Sequence, residues 1–305
     1  MLRLRGRSPI PFDLYDPITP LPSIYATRAR EELNEVVTEV SSHLERFRLS
    51  ISSLPHITCP TDDIFLLAFL RYEKYDHANA MKRLENFCAF RSLPGEGKPE
   101  WFQYDSLDRD LYKRIGELRY LIPLGSTFDG TSCVLIKAER LNFDVVTFHE
   151  VMCTSQIWND VMLLDPRVQI GGFIFLMDMA GVKLRELQRM SDQQVSEFGC
   201  KYFQEALPLR AKKMIYFNLP DEFELFYKIS DEWLSEDSKQ QVVVLKEGLL
   251  QAYVAVDGLQ DVMPKEYGGH NATTDEIYAR NANLMNGIWS NPPEIVVHLD
   301  VTSRT

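Results

Sequence analysis

The chain has 305 residues, with 33 basic against 44 acidic side chains and a formal net charge of −11. Nucleic acid and anionic membranes repel such a chain, which argues against nucleic-acid binding, and any membrane contact needs a local basic or apolar patch. The 45% apolar and 25% charged content is typical of a globular protein. The longest apolar stretch, near 171–177, is far shorter than the roughly 20 residues of a membrane span.

The N-terminus and the cysteines both predict a cytoplasmic protein. The first residues, MLRLRGRSPIPF, are basic but lack the apolar segment of a secretory signal. The five cysteines are odd in number, scattered and without CxxC spacing, so we interpret them as reduced thiols.

The first third of the chain is predicted to be helical. Apolar residues recur every three or four positions from Ile24 to about Leu54 without Gly or Pro, which predicts one long helix. Thr61 resembles the N-cap of the next helix, and Asp76 that of another. The Pro/Gly-rich stretch 94–99 is the best linker candidate.

After the linker the pattern changes to apolar runs that alternate with helical segments. Strands are predicted at 133–137, 170–178, 213–219 and 241–245. Helices are predicted at 143–162 and 192–205. This alternation favours βαβ units and a largely parallel sheet, so the predicted fold class is α/β with a helical leader.

The segment 221–234, DEFELFYKISDEWL, is the most informative part of the chain. Pro220 suits a helix start, and the acids that follow favour the positive end of the helix dipole. Phe223, Phe226 and Tyr227 contribute to an apolar face that is larger than one short helix needs. From the residues alone, the segment is either a well-buried helix or a lid over an apolar cavity.

Motifs for catalysis and cofactor binding are absent from the sequence, which has no Walker A, GxGxxG or GxSxG motif. The stretch from His149 to Cys153 resembles half of a zincin helix, but Cys153 replaces the second His, and we interpret it as an ordinary helix face. We therefore predict no catalytic residues, no metal and no cofactor, and an enzyme is the least favoured function.

Several segments, in chain order, carry a family resemblance. They are TDDIFLLAFLR at 61–71, FLMDMAG at 175–181, ALPLR at 206–210, NLP at 218–220, and a closing stretch at 259–269 that contains EYGG. Together they resemble the motifs of the CRAL-TRIO (Sec14-like) lipid-transfer proteins over nearly the whole chain. Within that family, the α-tocopherol transfer protein-like branch is the most similar.

The resemblance implies a helical N-terminal module (1–95), a CRAL-TRIO lipid-binding domain (96–280) and a C-terminal tail (281–305). The domain would hold a mixed, largely parallel sheet flanked by helices, with a gating helix over a lipid cavity that has apolar walls and few polar groups. Carried over by position, the ligand-contacting residues are Met152, Ser155, Asn159, Phe173, Met177, Tyr202, Leu207, Leu209, Met214, Phe223, Phe226 and Tyr227. Of these, Ser155, Asn159 and Tyr202 are candidates for hydrogen bonds to the ligand.

A head-group site outside the cavity is also implied. In the tocopherol branch basic residues bind phosphoinositides there, and Arg210 and Lys212 occupy two of those positions. Glu73, Asp237 and Gln241 stand where the phosphoinositide binders have basic residues, and acids in a phosphate site repel the ligand. We therefore predict weak or absent phosphoinositide-specific binding.

The function that the resemblance implies is an intracellular carrier of a hydrophobic small molecule such as a tocopherol-like lipid, a retinoid or a carotenoid. The carrier would meet membrane surfaces transiently to exchange its cargo. Two alternatives remain open: phospholipid exchange, and an adaptor that uses the lipid fold for protein interaction.

Overall fold

The computed structural model describes residues 8–92, 101–102, 109–191 and 193–300. Within these ranges no helix combines the length and the apolar character needed to cross a bilayer. The predicted linker at 94–99 lies outside the described residues.

The N-terminal part is helical. Its elements are α1 (Ser23–Leu33), a 3₁₀ turn (Val37–Glu39), α2 (Val40–Ser52), β1 (Ile57–Thr58), α3 (Asp63–Tyr72) and α4 (His77–Arg91). The single long helix predicted from Ile24 to Leu54 is wrong, because Asn34 adopts a left-handed conformation with φ of 60° and ends α1. The N-cap of α3 is Asp62 rather than Thr61, whereas the predicted Asp76 cap of α4 is confirmed.

A five-stranded sheet forms the centre of the remaining chain. Its strands, in spatial and chain order, are β2 (Leu121–Ser126), β3 (Ser132–Lys137), β4 (Phe173–Asp178), β5 (Ala211–Phe217) and β6 (Val242–Val244). β2 is antiparallel to β3, and the other pairs are parallel. The predicted α/β class with a mixed, largely parallel sheet is confirmed; β2 was not predicted.

Helices flank the sheet on both faces. They are α5 (Arg109–Leu118), α6 (Phe148–Leu163), α7 (Pro166–Gly171), α8 (Leu184–Met190), α9 (Gln193–Glu205), α10 (Phe223–Asp231), α11 (Glu236–Lys239), α12 (Leu250–Ala255), α13 (Leu259–Val262) and α14 (Thr274–Ser290), with 3₁₀ turns at Ala138–Arg140 and Lys265–Tyr267. A capping box of Thr147 and Glu150 begins α6 later than residue 143, where the predicted helix starts.

The chain after residue 280 is not a separate element. Helix α14 runs across the predicted boundary between residues 280 and 281. The last strand, β7 (His298–Leu299), then pairs antiparallel with β1 in the helical part. The C-terminal segment therefore packs onto the helical N-terminal part of the chain.

Candidate functional site

The two faces of the central sheet differ in burial. One face packs against α12–α14, and its side chains, such as Ile215 at 1% exposure, are fully buried. On the other face Phe175 and Met177 of β4 and Met214 and Tyr216 of β5 are only half-buried. The register places Phe175 beside Met214 and Met177 beside Tyr216. Inner strands of a covered sheet are normally buried on both faces, so this accessible apolar area indicates space beneath the covering helices.

Tyr216 lies against the elements that cover this face. Its ring centroid lies 5.3 Å from that of Phe223 and 6.4 Å from that of Tyr227. Burial, with smaller contributions from the nearby Cys200 and Tyr227, raises the pKa of Tyr216 to about 12. The side chain nevertheless keeps some accessible area, so the packing over this strand is incomplete.

Helix α6 has a second partly accessible stripe. Met152, Ser155 and Asn159 share one helix face and are half-buried, whereas most residues between them are buried. The Ser155 hydroxyl donates to the carbonyl of Val151 at 2.9 Å, and the Asn159 amide donates to Oε1 of Gln156 at 3.0 Å. The hydroxyl oxygen of Ser155 therefore has acceptor capacity for a ligand hydroxyl.

Helix α10 packs aromatic rings onto the half-buried sheet face. Phe223 is 2% exposed, and its ring centroid lies 5.3 Å from that of Tyr216. Phe226 and Tyr227 surround it at 5.9 and 6.0 Å, and Met177 belongs to the same apolar cluster. The structure thus brings together four of the predicted ligand-contacting residues, three from the helix and one from the sheet.

Asp178 holds the turn that precedes α10. Its Oδ1 accepts a hydrogen bond from Nδ2 of Asn218 at 2.8 Å, and its Oδ2 accepts one from the hydroxyl of Tyr267 at 2.6 Å. Asn218 has a φ of 51°, a left-handed conformation that is unusual for a residue other than glycine. A buried carboxylate therefore fixes the turn that precedes the helix.

Gln204 of α9 holds the other end. Its Nε2 donates to the carbonyl of Trp233 at 2.9 Å, and its Oε1 accepts from the backbone N–H of Ser235 at 2.7 Å. The Lys201 ammonium lies 5.5 Å from the centroid of the Trp233 ring. Both ends of α10 are thus tied to the rest of the domain by polar side chains, while its middle is held by apolar contacts.

A groove of about 530 Å³ lies along one edge of α10. Pro220, Phe223 and Tyr227 line it together with Val244 of β6. Its two sides are linked by the exposed ion pair between Glu224 and Lys246 at 2.9 Å. Exposed pairs of this kind hold weakly, so this edge offers little resistance to separation.

Four predicted ligand-contacting residues lie in the main core instead: Phe173, Tyr202, Leu207 and Leu209. The Tyr202 ring packs against Phe102 at 5.0 Å, and its hydroxyl lies 3.5 Å from Nη1 of Arg91. Arg91 also forms a buried ion pair with Asp160 at 2.6 Å. The hydroxyl of Tyr202 thus points to the helical part of the chain, and its contact with a ligand stays a prediction.

The predicted head-group residues Arg210 and Lys212 are paired with a carboxylate of the chain itself. Oε2 of Glu32 accepts from Arg210 at 2.7 Å and from Lys212 at 2.9 Å, and Oε1 accepts from Arg28 at 2.7 Å. Burial acts to raise the pKa of Glu32, but the three cations outweigh it and lower the pKa to about 2. Glu32 was not predicted, because in the sequence it is only a surface partner of Arg28 four residues before it.

Groups with metal-binding potential are sparse. Sγ of Cys153 and Nε2 of His149 lie 3.7 Å apart, as the spacing of a helix face predicts. Across the described parts of the chain, no three His, Cys, Asp or Glu side chains come together in a way that could hold a metal ion.

Comparison with known proteins adds to this geometry. Residues 118–269 match the sequence profile of the CRAL/TRIO domain. Clavesin-1 of Rattus norvegicus is 22% identical over 254 residues, which cover 79% of this chain and 67% of that protein. Clavesin-2 of Homo sapiens is also 22% identical over 254 residues, which cover 79% of this chain and 72% of that protein. The crystal structure of Sfh5 aligns with 88% of this chain and all of that chain, at 13% identity and a TM-score of 0.39.

Proposed function

Because the chain belongs to the CRAL-TRIO (Sec14-like) family, whose members are in general lipid-binding transfer proteins rather than enzymes, we propose that it is a cytoplasmic carrier of a hydrophobic small molecule. The cargo class that we propose is a tocopherol-like, retinoid or carotenoid lipid. It would lie against the half-buried face of β4 and β5, beneath α10, and would exchange at membrane surfaces.

One observation carries the proposal: an apolar, partly accessible sheet face lies under a helix whose buried polar ties lie at its ends and whose middle is held by apolar contacts. The face presents Met177, Met214 and Tyr216, and α10 closes it with Phe223 and its aromatic neighbours. Such a face offers a lipid an apolar surface without requiring it to displace a packed core. Methionines adapt to the shape of a bulky ligand, which suits a pocket for a ring and a chain.

Energetics explain why exchange would take place at a membrane. Burial of apolar surface yields about 25 cal/mol per Å², so a lipid of several hundred Å² gains on the order of 10 kcal/mol when it is sequestered. Spontaneous release into water would therefore be slow. A bilayer can accept both the lipid and the apolar face of an opened α10, so it lowers the barrier to exchange.

Glu32 supports the expectation of weak phosphoinositide-specific binding. A phosphate group would have to replace this carboxylate to reach Arg210 and Lys212, and would lose part of its gain in doing so. Glu73, one of the two acids expected to weaken the site, is itself paired with Arg83 at 2.5 Å. We propose that membrane contact depends mainly on the apolar face of α10.

The first test is native mass spectrometry with organic extraction of protein purified from its natural tissue. A stoichiometric isoprenoid-like ligand is the expected result and would identify the cargo. A phospholipid would assign the protein to phospholipid exchange. A protein without extractable ligand would favour the adaptor and contradict the carrier proposal.

A transfer assay tests the role of α10. With the extracted ligand, transfer between vesicles is compared for Phe226→Asp and for Leu250→Asp. Phe226 of α10 is half-buried in the apolar cluster between the helix and the sheet, whereas Leu250 is 73% exposed on α12, on the other side of the sheet. We expect Phe226→Asp to weaken ligand retention and change the transfer rate, and Leu250→Asp to behave like wild type. Equal transfer by all three proteins would show that α10 is not the gate.

A further inference from the structure

A second cavity lies away from α10, between the N-terminal segment and the body of the domain. It measures about 310 Å³ and shares no lining residue with the groove beside α10. One wall is formed by residues 10–15, which we call the strap. The other walls come from the ends of β2, α6 and α14 and from α7. We call this space the strap cavity.

The strap is attached at several points. Ile10 exchanges two backbone hydrogen bonds with Ser126 of β2, at 2.8 and 2.7 Å. Arg167 of α7 donates to the carbonyl of Asp13 at 3.0 Å and also pairs with its carboxylate. A Cβ on Gly125 would lie 2.3 Å from the carbonyl oxygen of Ile10, so only glycine allows the strap to lie this close to β2. The strap is therefore a built wall of the cavity.

The walls are mainly apolar but include buried hydrogen-bond donors. Phe12, Val161 and Ile288 contribute apolar surface. Trp158 lines the cavity, is 3% exposed, and its Nε1–H has no acceptor among the residues that the structure describes. A buried donor without a partner is unfavourable, and the structure normally supplies one. An acceptor from a bound molecule would satisfy it.

Tyr25 is a second donor of the same kind. It also lines the cavity, is fully buried, and its hydroxyl lacks a hydrogen-bond partner in the described part of the chain. Burial raises the pKa of Tyr25, while the nearby Ser126 acts to lower it, although the two hydroxyls do not reach hydrogen-bond geometry. Trp158 and Tyr25 thus place two buried donor groups in the lining of one mainly apolar cavity.

The rim of the cavity selects against an anionic ligand. Arg167 is engaged by Asp13 and by Asp165, whose carboxylate lies 2.7 Å from its Nη2. Arg167 is the single cation of this ion-pair cluster and is already paired with both carboxylates. The rim would therefore repel an anion. The volume lies at the lower end of the roughly 300–1,000 Å³ of small-molecule sites.

We propose that the strap cavity is a second binding site, for a small neutral apolar molecule whose carbonyl or ether oxygen accepts a hydrogen bond from Nε1–H of Trp158. This site is separate from the sheet face beneath α10, and it does not depend on the carrier function proposed above.

The test uses two probes of nearly equal shape, acetophenone and α-methylstyrene, in which a methylene group replaces the carbonyl oxygen. The chain has four tryptophans, so ¹⁵N-tryptophan labelling gives a simple indole spectrum, in which Trp158→Phe identifies the Trp158 signal. We expect acetophenone to move this signal saturably and to bind about fivefold more tightly than α-methylstyrene, since one hydrogen bond distinguishes them. An unmoved signal at the solubility limit of acetophenone, or equal affinity for the two probes, overturns the proposal.

Gly287 offers a matched pair of variants. It lines the cavity from α14, and a Cβ added there meets no atom within 4 Å. Gly287→Ala adds little volume and favours the helix, so the affinity for acetophenone should stay unchanged. Gly287→Leu should narrow the cavity and weaken binding by about tenfold. Equal affinities of the two variants would place the probe elsewhere and overturn the assignment.

A last control separates this site from the proposed carrier site. In Phe226→Asp the response of the Trp158 signal to acetophenone should be the same as in wild type, because Phe226 does not line the strap cavity. Loss of the response would mean that the probe binds beneath α10, and would contradict a second site.

Discussion

Replacing Phe223 by alanine tests whether α10 is a lid that can open or an ordinary helix of the core. The ring is 2% exposed and packs against Tyr216 of the sheet. Truncation of a buried Phe costs about 3–5 kcal/mol where the site is part of the cooperative core. Where the helix opens independently, the free energy of global unfolding can fall by no more than the free energy of closing the helix, which is small for a helix that opens easily.

Phe217 is the matched control. It lies on the same strand as Tyr216 but on the opposite face, is 1% exposed, and its ring centroid lies 5.6 Å from that of Tyr267. Phe217→Ala should lower the free energy of global unfolding by about 3–5 kcal/mol. In Phe223→Ala the lost contacts should instead weaken the closure of α10. A loss of closure free energy near 3 kcal/mol corresponds to about 100-fold faster ligand release.

Three measurements resolve the two cases. Urea unfolding followed by circular dichroism reports global stability, hydrogen exchange of the amides in 223–231 reports opening of α10, and release of bound ligand to vesicles reports function. For Phe223→Ala we expect faster exchange and faster release at nearly unchanged global stability. If Phe223→Ala lowers global stability as much as Phe217→Ala does, without selective exchange in α10, the reasoning that α10 is a lid is refuted.

The remaining predictions concern polar contacts. Glu32→Gln removes the carboxylate paired with Arg210 and should raise cosedimentation of the protein with phosphoinositide vesicles. Glu31→Gln makes the same charge change at an exposed neighbour and should raise cosedimentation less. Equal cosedimentation of the two variants would contradict the idea that Glu32 keeps phosphate groups from Arg210. The pKa of Glu32 is lowered from 4.5 to about 2, so the stability that the ionised carboxylate gives the folded protein is complete above pH 4.5 and is lost as the pH falls towards 2. Over this pH range, the free energy of unfolding measured in urea should fall less for Glu32→Gln than for wild type. Tyr267→Phe removes a 2.6 Å hydrogen bond to the buried Asp178 and should lower the free energy of unfolding by about 1–3 kcal/mol; a change within error in urea unfolding would show that this bond is dispensable.

Local patterns predicted the strands and helices of the central domain but not the break in the first helix. Apolar residues continue at helical spacing through Asn34, so the sequence alone favours one helix. The break is explained by a distant contact. After Asn34 turns the chain, Glu35 pairs with Arg71 at 2.7 Å and accepts a hydrogen bond from Tyr75 at 2.8 Å. The periodicity of a local segment cannot reveal a buried ion pair with a residue 36 positions away, so the end of α1 could not be predicted from it.

Strand β2 was missed because its composition argues against a strand. It contains Pro123 and Gly125, both of which are unfavourable within central strands. At the edge of a sheet a proline is tolerated, and Gly125, with a φ of 96°, allows the close approach of Ile10. The strand is therefore explained by its position in the sheet and by the N-terminal strap, which become visible only in the folded chain.

The candidate site shows what sequence similarity adds and what it leaves out. Three polar residues from separate motifs, Asp178, Asn218 and Tyr267, meet at the turn that precedes α10. Asp178 ends β4 and the other two lie in turn segments, so no periodicity relates them, and the resemblance gave their positions without the bonds that join them. These bonds hold the turn before α10, and aromatic contacts such as those of Phe223 hold the helix on the sheet. In the proposed lid, the position of the closed helix and the strength of its closure would therefore have separate physical origins. Substitution of Phe226 should therefore change how often α10 opens, whereas loss of the Asp178 carboxylate should change where α10 lies when it is closed.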